Sequence, residues 1–127
     1  MKRGKYFGKL CFIALAFSPA LAFADNCENA RNGFDDIYCV NKVYASADND
    51  LNKNYQALRK YLTSTQKSIL KSAQINWIHE RDEQCMTSDY SVDVQCRLEK
   101  TQERNHWLIE RIRECKTVGC KTDELRN

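Results

Sequence analysis

The side chains in this chain able to do chemistry are seven cysteines, two histidines and a set of carboxylates spaced along runs of helical pattern. His79 with Glu83, and His106 with Glu103 and Glu110, have the three- and four-residue spacings that put two groups on one helix face. A zinc site needs three or four ligands, in paired Cys or His spacings. No C-x2-C occurs, and His79-Glu80 has no second histidine at position 83 to complete a zincin motif. These histidines read as solvated groups on charged faces, and no metal or cofactor is expected. A cysteine nucleophile requires a free thiolate, and the cysteines have another use, set out below. With no G-x-S-x-G elbow and no phosphate loop either, the chain reads as a protein that is not an enzyme.

Residues 1–24 read as a cleaved secretory signal peptide. Lys2, Arg3, Lys5 and Lys9 form a basic start, Leu10 to Phe17 is an apolar run too short to span a bilayer, and Ala22-Phe23-Ala24 supplies a small-x-small cleavage pattern. Four of the 20 basic residues and none of the 17 acidic ones lie in that leader, so the net charge moves from +3 to about −1 on cleavage. The basicity belongs to the leader and gives no argument for nucleic acid, and no membrane attachment is expected after cleavage. Residues 25–127 then form one small domain, with six of the seven cysteines. An even cysteine count in an exported domain of this size reads as three disulfides.

What must position these cysteines is helical. Val40, Tyr44, Ala47, Leu51, Tyr55, Leu58 and Leu62 recur at steps of three and four. Thr63 and Gln66 stand at capping-box spacing. A second stripe follows in Ile69, Leu70, Ala73, Trp77 and Ile78, and a third in Val94, Leu98, Thr101, Asn105, Leu108, Ile112 and Cys115. Thr101 and Asn105 are polar members of an inward stripe and need hydrogen-bond partners if buried. Asn32-Gly33 reads as a turn, Val118-Gly119 as the last helix stop, and Leu125 to Asn127 as a frayed end. The expected fold is all-α: three long helices, antiparallel to their sequence neighbours, in a small disulfide-braced bundle.

That arrangement limits the disulfides. Cys39, Cys85 and Cys96, with Cys27 just upstream, fall at one end; Cys115 and Cys120 fall at the other, roughly 30 Å away along a helix of about 20 residues. Bonded cysteines need Cα atoms within about 7 Å, which leaves three pairings, all containing Cys115–Cys120. The local set, Cys27–Cys39 with Cys85–Cys96, is preferred among them, because the polar stretch Met86 to Gln95 can reverse the chain.

The run Cys39, Tyr44, Ala47-Asp48, Leu51-Asn52, Tyr55, Leu58, Leu62, then Leu70, Ala73-Gln74, Trp77-Ile78, Arg81-Asp82, Cys85, and finally Cys96, Thr101 and Arg104, resembles the LprI-type lysozyme-inhibitor-like family of small exported bacterial proteins. The resemblance covers roughly residues 27 to 110. It implies a helical, disulfide-braced domain, with lysozyme inhibition known for some members. Two departures stand out. The segment between Cys85 and Cys96 is short and lacks the Gly-rich stretch common in relatives, and Cys115 and Cys120 add to the usual four cysteines.

Two surfaces compete for function. The signature residues Asp48, Asn52, Tyr55, Trp77, Arg81 and Asp82 read as a hydrogen-bonded seam between helices, since polar groups among apolar stripes need partners. The constrained segment Met86 to Asp93, with Tyr90 between Asp89 and Asp93, is the recognition candidate. Lysozymes are commonly basic, so acidic side chains there favour a lysozyme partner. The reading is an exported, periplasmic or secreted, non-enzymatic binding protein that inhibits lysozyme-type muramidases. The alternative is an envelope interaction or immunity protein, or a secreted factor, aimed at another partner.

Overall fold

The computed structural model describes Cys27 and residues 33–127. The expected leader and its cleavage site lie outside the described residues. Three helices follow in order: α1 (Gly33–Arg59), α2 (Ser64–Gln84) and α3 (Val94–Thr117), closed by a 3-10 turn at Thr122–Arg126. No strand occurs among the described residues beyond one isolated antiparallel bridge, Met86 with Val92. None of the helices is long and apolar enough to cross a membrane.

Each boundary has a local cause. Helix α1 begins at Gly33, about two turns before the first apolar position of its stripe, where a turn is the sequence expectation. Asp35 and Asp36 occupy its first turn, where carboxylates favour the positive end of the helix dipole. Helix α2 starts on a complete capping box: Gln66 N–H donates to Thr63 Oγ1 at 3.2 Å, and Thr63 N–H donates to Gln66 Oε1 at 3.0 Å. Helix α3 starts on Asp93, whose Oδ1 accepts from Cys96 N–H at 3.0 Å. It stops at Gly119, whose φ of +101° is open to glycine at little steric cost and whose N–H closes onto Glu114 O.

The helices are not equally close. Backbone approach is tightest between α1 and α3, which run parallel, while α2 stands further off. Small side chains make the close approach possible: Ala47 and Thr101 are both buried, and Asn105 Nδ2 reaches across to donate to Ala47 O at 3.0 Å. Asn105 Oδ1 in turn accepts from Asn54. The two polar members of the α3 stripe thus have partners, Thr101 through Arg81 and Asn105 through α1. Leu51, Leu58, Leu62, Leu70, Leu108 and Leu125 form the main apolar cluster, and Val43, Ala47 and Leu98 form a smaller one toward the start of α1. Leu58, Leu70 and Leu108 are fully buried, each stabilising the fold by about 1.5–3 kcal/mol.

The chain end departs from expectation. Leu125 to Asn127 do not fray: Leu125 is 1% exposed and joins the main cluster. Gln66 Nε2 donates to Thr122 Oγ1, Arg111 pairs with Glu124, and Arg104 Nη1 donates to Asn127 O at 2.9 Å. A disulfide joins Cys115 to Cys120 and turns the chain back from the end of α3 toward α2. The other two bonds join Cys27 to Cys39 and Cys85 to Cys96, with Cα atoms 5.8 and 5.4 Å apart.

Candidate functional site

Most of the signature residues lie inside the seam. Arg81 is buried; its Nη1 donates to Thr101 Oγ1 at 3.2 Å and lies 3.5 Å from Asp48 Oδ1, and its Nε donates to Asp82 Oδ1 at 3.0 Å. Asp82 also pairs with Arg97 of α3. One guanidinium therefore ties α2 to both other helices. Tyr55 packs against the main apolar cluster, with the Arg59 guanidinium over its ring. Asn52 is exposed and takes no part; Asn54, two residues on, makes the polar link to α3.

The seam continues as alternating cations and rings. Arg81 lies 5.1 Å from the Trp77 centroid and 5.8 Å from that of Tyr44. Arg104 lies over both Trp77 and Trp107, 3.8 Å from the latter, and Arg111 lies 5.5 Å from the Trp107 centroid. Planar guanidinium groups stack on aromatic faces in this way, which lysine does not reproduce. Arg104 Nε also donates to the buried Gln74 Oε1 at 2.9 Å. Burial lowers the Arg104 guanidinium to about 10, against the raising influence of Glu80, so it stays charged at neutral pH. This ladder was available in the sequence as Trp77 and Arg81 four apart, then Arg104, Trp107 and Arg111 at steps of three and four. A polar, half-aromatic stripe does not stand out by hydropathy, and so Trp107 and Arg111 were missed.

The exposed hairpin between α2 and α3 is ordered by its own short side chains. Asp93 N–H donates to Cys85 O at 2.8 Å, and Met86 bridges Val92. Inside that bridge, Thr87 N–H donates to Ser91 O at 2.8 Å, and Tyr90 N–H to Thr87 O at 3.0 Å. Asp89 Oδ1 accepts from Ser91 N–H and from the Thr87 hydroxyl. Tyr90 sits at the tip with φ of +64° and is 85% exposed. A left-handed tyrosine costs roughly 1–2 kcal/mol relative to ordinary backbone. It persists because the disulfide, the bridge and the Thr87–Asp89–Ser91 bonds hold the turn around it. Of the three recognition residues expected from sequence, Asp89 and Tyr90 are at the tip, whereas Asp93 lies at the base, where it caps α3.

Hydrogen bonds from Thr87 and then Ser91 hold the Asp89 carboxyl below its ordinary value of 3.8. A depressed carboxyl contributes order above its unfolded value and loses that contribution as pH falls through its folded value. The turn should therefore be intact at pH 5 and loosen only in stronger acid. Amide exchange at Ser91 checks this: protection constant from pH 7 to 5 is expected, and loss within that range would contradict it.

Among the described residues, no group of three His, Cys, Asp or Glu side chains comes together to hold a metal ion. His106 is exposed beside Glu110. The family model for lysozyme inhibitor LprI matches residues 27–108. The chain belongs to the LprI lysozyme-inhibitor family. No curated protein and no solved structure matches it. The LprI match takes in the hairpin, both of its cysteines, Arg81, Thr101 and Arg104, and stops before the Cys115–Cys120 bond and the 3-10 turn.

Proposed function

We propose that this LprI-family protein is exported, has no catalytic activity of its own, and inhibits lysozyme-type muramidases by placing the Tyr90 hairpin in their cleft. Family membership supports the partner class, and three disulfides fit an oxidising compartment. The observation that carries the reading is Tyr90 itself: a bulky exposed ring at positive φ on a clamped turn. Backbone strain at an exposed tip is retained where it presents a group to a partner, and a preorganised tip loses little freedom on binding.

The chemistry matches the target. A muramidase cleft binds pyranose rings beside paired carboxyl groups. The Tyr90 ring is a six-membered ring of similar width, and its hydroxyl can donate to a carboxylate. Asp89, ionised throughout the neutral range, faces the basic rim that such enzymes commonly carry.

Tyr90→Gly separates recognition from folding. Glycine adopts positive φ without the steric cost, so the variant should unfold at equal or higher denaturant concentration than the parent. Its inhibition should fall about 30-fold, the loss of about 2 kcal/mol expected at a central aromatic contact. Titration of muramidase activity with both proteins checks it; undiminished inhibition by the glycine variant would remove Tyr90 from the contact.

A further inference from the structure

Six of the large apolar side chains left exposed lie at one end of the bundle. Three are Met86, Tyr90 and Val92 of the hairpin; the others are Phe34, Ile37 and Tyr38 in the first turns of α1, exposed by 79, 63 and 64%. Phe34, Ile37, Tyr38 and Asn41 recur at helical spacing and so share one face of α1. The two segments are adjacent: Asp36, Ile37, Val40 and Asn41 form one wall of a groove of about 360 Å³, and Val92 to Gln95 form the other. Ile37 and Val40 face Val92 across that groove, and soluble proteins seldom leave a large apolar patch bare unless it meets a partner.

We infer that the α1 face and the hairpin form one docking surface for a cationic protein partner, with Phe34, Ile37 and Tyr38 as a second anchor beside Tyr90. The inference rests on the muramidase reading and extends it from the cleft to the partner's rim. Charge selects the occupant. Residues 33–41 and 86–95 contain Asp35, Asp36, Asp89 and Asp93 and no lysine or arginine. With Asp36 and Asp93 lining the groove, Asp89 at the hairpin tip and Lys42 at one edge, the patch is net acidic. It fits a surface of arginine and lysine around an apolar spot and repels a second copy of itself. Aromatic residues at the centre of such a patch are the usual anchors, while the acids set the approach rate.

The test uses the purified oxidised protein with c-type, g-type and i-type lysozymes, following affinity and association rate. Phe34→Ala/Ile37→Ala changes only exposed side chains, so its unfolding midpoint should match the parent. Its affinity for the lysozyme that the parent binds should fall at least tenfold. Asp36→Lys should slow association severalfold at low salt, with the difference shrinking at high salt. Affinity and association rate within twofold of the parent in both variants, while Tyr90→Gly binds weakly, would overturn the α1 anchor and leave the hairpin reading standing. Failure of the parent to bind any of the three types would overturn both. Concentration-dependent dimerisation lost in Phe34→Ala/Ile37→Ala would assign the face to a second copy and overturn the cationic partner.

Discussion

Arg81→Ala should cost about 3 kcal/mol of stability, measured as a shift of the denaturant midpoint at unchanged slope. Among the described residues the guanidinium is the one hydrogen-bond partner of the fully buried Thr101 hydroxyl, and it also lies against Asp48, Asp82 and the Trp77 and Tyr44 rings. Truncation leaves that hydroxyl without a donor, opens space beside Trp77, and removes the contact of α2 with Asp48 of α1 and Thr101 of α3. The two carboxylates are partly exposed and can be rehydrated, which keeps the cost from rising higher. Arg81→Lys should recover less than half of the loss, because a point charge cannot fork between Thr101 and Asp82 while stacking on an indole. A loss below about 1 kcal/mol for Arg81→Ala would show that the apolar stripes alone hold the bundle.

Removing the hairpin clamp should have the next largest effect, and on two properties at once. Cys85→Ser/Cys96→Ser opens a loop of sequence separation 11, for which chain entropy predicts a loss of about 3 kcal/mol. The same change frees the base of the hairpin that holds Tyr90 at positive φ. Muramidase inhibition should therefore fall by more than stability alone accounts for, even at temperatures where the variant is fully folded. Cys115→Ser/Cys120→Ser is the control. Its loop is shorter, with separation 5, so about 2 kcal/mol is expected, and its position at the far end predicts unchanged inhibition. Equal inhibition by both folded variants would separate the hairpin from the activity.

These contrasts also mark what was legible in the sequence. The α3 stripe could be read because Leu98, Thr101 and Leu108 keep a three-and-four step in a run with no glycine or proline to interrupt it. Thr63 and Gln66 gave the start of α2 for a similar reason: the capping box is a local bond between residues three apart. Thr101 and Asn105 could be identified as polar groups needing partners, but not which partners, because Arg81 and Ala47 are distant in sequence.

The misses share the opposite cause. Leu125 is one apolar residue in a polar tail, so no period announces it; its burial follows from the turn at Gly119 and the contacts of Gln66, Arg104 and Arg111. The first two turns of α1 bury little, and so hydropathy could not reveal a helix starting at Gly33. Val43 is buried deeper than Val40, which only half closes against the hairpin groove. Asn54 replaces Asn52 in the seam because α1 turns its 47-51-58 face, with Asn54 at the edge, toward α3. For the proposed binding surface, Asp89 and Tyr90 were readable as a constrained polar loop. The left-handed backbone at Tyr90, and the meeting of Ile37 and Val92 across one groove, depend on tertiary structure.

The most direct test of the central claim is lysis of peptidoglycan by lysozyme in the presence of increasing amounts of the purified oxidised protein. Dose-dependent protection is expected against at least one lysozyme type, lost when the disulfides are reduced and weakened about 30-fold by Tyr90→Gly. Lysis that proceeds unchanged with all lysozyme types at saturating protein would contradict the account.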